Sequence, residues 1–262
     1  MVCNYLRSLG LVAVSAFILQ ASALDVQTGE QPELFLSYLN AHASPPNDPR
    51  FRLPPSFSDP PFSPDSWDRL PIYWRYGVWY FVATSSAILS EWTNIQWEMT
   101  PLSLDNQSAP SLEGQEFFYF ELLDVPVKLY GTTRPLAVDS YQSTLPGAGA
   151  VINNVWEFIA WGYDSKGVPY ALLYETQAGP LPPSISLLSR SNSGVAPDTY
   201  EMLRKGLRNL GSAELTQLAN DLYHLPHNHN HDGEPYPTCG STCKLNLLTD
   251  LPIDLSSLGL SR

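Results

Sequence analysis

Between Tyr76 and Arg190 the chain returns again and again to one pattern. Short runs of Val, Ile, Phe, Tyr and Trp alternate with polar residues and are broken by turn formers. A period of two marks strands whose two faces meet different surroundings. The runs fall at residues 76–85, 94–104, 116–124, 127–133, 135–144, 152–163, 168–178 and 185–190. Asp105-Asn106, Pro146-Gly147, Asp164-Ser165-Lys166-Gly167 and the proline-containing stretch 179–184 separate several of them. An open sheet of such short strands would expose two edges, and closure removes both. The expected fold is mainly β: an eight-stranded antiparallel up-and-down barrel.

After the strands the period changes. Tyr200, Leu203, Leu207 and Leu210 stand at helical spacing, with Asp198 as candidate N-cap and Gly211 as a stop. Ser212-Ala213-Glu214 opens a second helix, with Leu215, Leu218 and Leu222 on one side. Both are expected to pack on the outside of the barrel. Upstream, residues 32–42 suit a short amphipathic helix. Residues 44–64 carry eight prolines and can be neither helix nor central strand. They form a linker or an extended arm, and Phe51, Phe57 and Phe62 favour the arm.

The first 23 residues read as a signal peptide. Arg7 precedes the apolar run LVAVSAFIL, and Ala21-Ser22-Ala23 supplies small residues for cleavage. The run is far short of the roughly 20 residues of a membrane span. The expected divisions are residues 1–23 signal peptide, 24–71 helix and proline-rich arm, 72–224 barrel with helices, and 225–262 irregular tail. Secretion makes Asn106-Gln107-Ser108 a glycosylation sequon and Cys239 with Cys243 a small local disulfide. A net charge of -12 with only 14 Lys and Arg argues against nucleic acid as a partner. A small hydrophobic molecule fits the composition better; the oligomeric state is left open.

The residues Gly77-Val78-Trp79-Tyr80, VWEFIAWGYD at 155–164, VPYALLYET at 168–176 and SLLSR at 186–190, followed by a helix, carry a resemblance. The chain resembles the lipocalin/calycin superfamily, most of all the barrels of the violaxanthin de-epoxidase group and related secreted fungal proteins. The resemblance implies that Trp79 closes the barrel floor beside Gly77 and that Arg190 packs over it. It also implies a ligand in the barrel. Trp156-Glu157-Phe158 stands where the family's Thr-Asp-Tyr element is expected, and the strands contain no cysteine.

Alternation marks Phe81, Trp97, Met99, Phe118, Phe120, Tyr170, Leu172 and Tyr174 as inward candidates. They either fill a solid core or line a cup for a flat apolar ligand of isoprenoid, polyketide or fatty-acid type. Glu98, Glu121, Asp139, Glu157 and Glu175 interrupt apolar runs. An inward acid would be desolvated, its pKa raised, and fit for general acid work. Asp139 with Tyr141 and Glu175 with Tyr174 are the candidate pairs for an enzyme of isomerisation, cyclisation or epoxide chemistry. The barrel reading requires no cofactor. His227, His229 and His231 offer imidazoles for zinc or copper, against the alternatives of a solvated or a pH-responsive tail.

Overall fold

The computed structural model describes residues 49–58, 67–71, 74–102, 112–145, 153–179 and 181–229. The signal-peptide stretch, the helix expected at 32–42, Asn106, His231, Cys239 and Cys243 lie outside the described residues. Eight strands form the body: β1 (Gly77–Thr84), β2 (Trp92–Pro101), β3 (Gly114–Leu122), β4 (Val125–Ala137), β5 (Ser140–Thr144), β6 (Val155–Tyr163), β7 (Pro169–Glu175) and β8 (Ser184–Ser189). Each pairs antiparallel with the next, β8 pairs with β1, and β1 returns to β2. The ring is a closed up-and-down barrel.

Two turns differ from the expected division. Leu122 pairs with Val125, so Leu123 and Asp124 form a two-residue hairpin, both at positive φ (52° and 62°). Such a turn follows the strand twist, although Leu is an unusual residue for it. The break expected at Arg134 is absent. β4 runs through Pro135, which stands beside a bulge where a missing N–H costs little. The chain instead reverses at Val138-Asp139, with Asp139 at φ 52°.

Over β6, β7 and β8 the outer face of the wall is covered by helices. α1 (Pro197–Arg208) starts with Pro197 in its first turn, and Ala196, not Asp198, is its N-cap. Asp198 accepts a hydrogen bond from Ser165 Oγ at 2.9 Å instead. α2 (Ala213–Asp221) is capped by Ser212, whose hydroxyl accepts from the Leu215 N–H. Leu203, Leu207, Leu215 and Ala219 are fully buried against Leu172, Ile185 and Leu187. Each such burial contributes on the order of 1–3 kcal/mol.

One end of the barrel is sealed. Trp79 is fully buried, and the Arg190 guanidinium lies 3.8 Å from its ring centroid. Arg190 also donates to the carbonyls of Trp74, Tyr76 and Val78. Gly77 makes room: a Cβ there would stand 3.1 Å from Arg190 Nη1, and its φ of +86° suits glycine. Trp74 packs on Trp161 and Tyr163 at 4.9 and 5.1 Å.

The seam between β1 and β2 is short. Only Gly77 to Tyr80 pair with Met99 to Gln96. Beyond them, β9 (Tyr223–His224) and the residues after it take the place of β2. Thr84 and Ala83 pair with Tyr223 and His224, and Leu225 N donates to Val82 O at 3.0 Å. Across the gap, Asn94 on β2 donates to Pro226 O at 3.1 Å and pairs with Asn228.

Candidate ligand site inside the barrel

The register fixes which side chains face inward. Phe81, Trp97, Met99, Phe118 and Phe120 belong to the interior cluster, together with Tyr141, Trp156 and Phe158. Their rings interlock. Trp97 stacks on Phe118 at 5.4 Å and meets Trp156 edge-on at 4.8 Å, while Tyr141 stacks on Trp156 at 4.6 Å. Such offset and edge contacts add to simple burial. Arg75 lies over the Tyr141 ring at 4.2 Å and donates to Tyr76 Oη and Leu112 O.

Tyr170, Leu172 and Tyr174 correct the inward list. They lie in the outer cluster under α1 and α2, and the inward residues of β7 are Ala171 and Leu173. Both faces of β7 are buried, so no polar alternation marks which is which. Tyr174 donates to Glu214 Oε1 at 2.7 Å on that outer face.

Asp139 is likewise no interior acid. It sits in the β4–β5 turn, where it accepts from Trp67 Nε1 at 2.6 Å and Leu70 N at 3.1 Å. Arg52 stacks over Trp67 at 4.4 Å and donates to Phe158 O, Val138 O and Asp139 O. Burial lowers the Arg52 guanidinium to about 10, against the pull of Asp139 and Glu157. Glu157 faces outward and accepts from Ser56 N, Ser56 Oγ and Ser140 Oγ. These bonds dock residues 52–56 against the barrel flank. Glu121, also buried, accepts from Tyr119 Oη at 2.8 Å. Burial raises the Glu98 carboxyl.

Glu175 does belong to the interior. Its Oε2 accepts from Ser184 Oγ at 3.0 Å and Ser186 Oγ at 2.7 Å, and Ser186 Oγ lies 3.2 Å from Thr84 Oγ1. Burial raises its pKa, and the two serines oppose the change. Tyr141 is one strand removed, behind Trp156. The foursome Asp139, Tyr141, Tyr174 and Glu175 is therefore split between the two faces of the wall.

The interior acid that the strand pattern concealed is Glu116. It is 1% exposed, between Met99 on β2 and Gly131 on β4. A Cβ at Gly131 would stand 2.8 Å from Glu116 Oε1, so the glycine leaves the carboxyl its place. Among the described residues neither carboxyl oxygen makes an aligned hydrogen bond, and neither do Trp97 Nε1 and Thr133 Oγ1. Burial pushes the carboxyl up to about 8, with hydrogen-bonding contact from Ser143 and Trp97 pulling the other way. Ser143 Oγ accepts from Trp156 Nε1 at 2.8 Å, which leaves its own hydrogen for the Glu116 carboxyl. The signal was present in the sequence, because Glu116 shares the parity of Phe118 and Phe120.

The histidines are placed apart. His224 stacks on Tyr200 at 4.3 Å, and His227 Nε2 lies 3.0 Å from Phe81 O. His229 is described, at φ 59°. Among the described residues no three His, Cys, Asp or Glu side chains come together as a metal site.

No family model matches the chain. It is 29% identical over 205 residues to botcinic acid biosynthesis cluster B protein 12 of Botryotinia fuckeliana (strain B05.10), covering 72% of this chain and 88% of that protein. Among solved structures it is similar to the cockroach allergen Per a 4, with 10% identity and a TM-score of 0.44, over 64% of this chain and 95% of the other. Insecticyanin from the tobacco hornworm Manduca sexta gives 12% and 0.41, over 63% and 85%. The siderocalin Ex-FABP gives 20% and 0.39, over 59% and 91%. The last two are lipocalin/calycin proteins. The barrel assignment itself rests on the strand pairings of this chain.

Proposed function

We propose that the barrel holds a small, largely apolar organic molecule. One observation carries this reading: an aromatic interior that keeps polar groups, among them Glu116, Trp97 Nε1 and Thr133 Oγ1, buried without aligned hydrogen bonds among the described residues. Each such group costs on the order of 1–3 kcal/mol, and a packed core without a guest has no reason to retain it. The relative named for a biosynthesis cluster supports cargo that is an intermediate or product of a biosynthetic pathway. The likeness to violaxanthin de-epoxidase barrels supports isoprenoid-like cargo among the candidates. The leader-like N-terminus supports an extracellular location, where the sequon at Asn106 and the Cys239–Cys243 pair take their roles.

A second reading, acid–base catalysis on the same guest, is favoured by the Glu116 carboxyl, which at neutral pH keeps a proton that it can donate.

Native mass spectrometry of the chain taken gently from its producer tests the first reading. The expected result is an added organic mass of a few hundred daltons, in keeping with a guest that an eight-stranded barrel can hold. A bare protein mass, with no binding of added apolar probes, would overturn it.

A further inference from the structure

We propose that Glu116, Trp97 and Thr133 form the polar anchor of the barrel site, built for the acceptor oxygen of a neutral ligand such as a ketone, ester or lactone. The inference rests on the reading of the barrel as a container and names the chemistry of its guest. Trp97 Nε1 is a donor only, and the Thr133 hydroxyl can donate. Glu116, when it carries its proton, adds a third donor. All three are buried inside the wall and make no aligned hydrogen bond among the described residues, although Ser143 and Trp97 stand close enough to act on the Glu116 carboxyl.

The register places them together. Thr133 pairs with Gly114 on β3, Gly131 with Glu116, and Trp97 with Phe118, so they occupy adjoining positions on β2, β3 and β4. Two glycines keep the wall thin there. A Cβ at Gly114 would stand 3.1 Å from Thr133 Oγ1, and one at Gly131 would strike the Glu116 carboxyl. The residues packed around Glu116 on the neighbouring strands are Trp97, Met99, Gly131, Thr133 and Ser143, none of which titrates near neutrality.

The same surroundings disfavour an anionic head group beside Glu116. Among the described residues no cation acts on the ionisation of Glu116. Arg52 and Arg190 are committed to backbone carbonyls, and Arg75 lies over the Tyr76 and Tyr141 rings and donates through Nη2 to Tyr76 Oη and the Leu112 carbonyl. A buried carboxylate guest beside Glu116 would have no counter-charge, which is costly. A fatty acid bound as its anion is thus disfavoured, and a neutral oxygenated molecule is favoured.

Equilibrium dialysis of the full chain against three probes of one shape tests the anchor. The probes are 2-acetylnaphthalene, 2-isopropenylnaphthalene (a methylene in place of the carbonyl oxygen) and 2-naphthoate. The ketone is expected to bind about five-fold tighter than the alkene, the worth of one good hydrogen bond, with naphthoate weakest. In Glu116→Leu, with only Trp97 and Thr133 left to donate, the ketone's advantage should shrink while the alkene still binds; Glu116→Gln, which keeps a donor, should retain more of it. Equal binding of ketone and alkene to the native chain, or an advantage undiminished in Glu116→Leu, would overturn the anchor and leave the container reading intact. Failure of every probe to bind would overturn both. A melting temperature is read alongside. Glu116→Leu and Glu116→Gln should melt no lower than the native chain; a fall of several degrees in both would make the carboxyl a structural group and end the proposal.

Discussion

On the outer flank of β5 and β6, Glu157 is as deeply buried as Glu116 is on the inner wall, each at 1% exposure. Their surroundings are opposite. Glu157 receives Ser56 and Ser140, and its neighbour Asp139 receives Trp67 and Leu70. Arg52 supplies positive charge to both acids. Among the described residues Glu116 has no aligned donor and no cation. The outer pair is built to hold a segment of chain in place, so every charge is answered. The inner acid lacks an answering charge, at a cost to stability.

The sharpest way to break the contrast is Arg52→Ala. It strips three carbonyls of their donor and leaves two buried acids without their cation. A loss of about 3–5 kcal/mol is expected in urea unfolding, because one member of a buried charged set is removed.

Glu116→Gln should act in the opposite direction, and in a pH-dependent way. The carboxyl is raised in the folded chain from an ordinary value of 4.5 to about 8. Its protonation therefore favours the folded state fully below the ordinary value, and that contribution is lost as pH rises through the folded one. Near pH 4 the two proteins should unfold alike. At pH 7 the variant should be more stable by roughly 3 kcal/mol, since each tenfold change in proton affinity on folding is worth about 1.4 kcal/mol. Thermal melts from pH 4 to 8 read this directly; a gap that stays flat across the range would show that Glu116 does not titrate differently on folding.

Two smaller changes calibrate the comparison away from both acids. Gly77→Ala forces a side chain into positive φ against Arg190 and should cost about 1–2 kcal/mol in urea unfolding. Ser212→Ala removes the cap of α2 and should cost about 1 kcal/mol, without altering probe binding.

Alternation in the sequence was enough for the closed barrel and for Phe81, Trp97, Met99, Phe118 and Phe120, because β1 to β3 keep a simple parity through those residues. It failed on β7, where helices bury the outer face as thoroughly as the barrel buries the inner one. It failed again at Asp139, because Pro135 reads as a strand breaker yet sits beside a bulge that tolerates it. The role of Asp139 as a clamp depends on Trp67 and Leu70, some 70 residues away in sequence, with no local trace. Glu116 was legible by parity, but a charged residue at the start of a strand invites assignment to solvent.

The short seam between β1 and β2 has a consequence for the order in which the chain can be completed. β1 emerges early in synthesis, yet among the described residues its upper half finds its partners in β8 and in Tyr223 to His227. Contacts of such long sequence separation form slowly, and an unpaired strand edge invites association with other chains while it waits. The ring cannot be finished on the ribosome before residue 228 is available to bond Asn94. A nascent chain halted after α2 would carry the eight strands and both helices, and still present a gap in its wall.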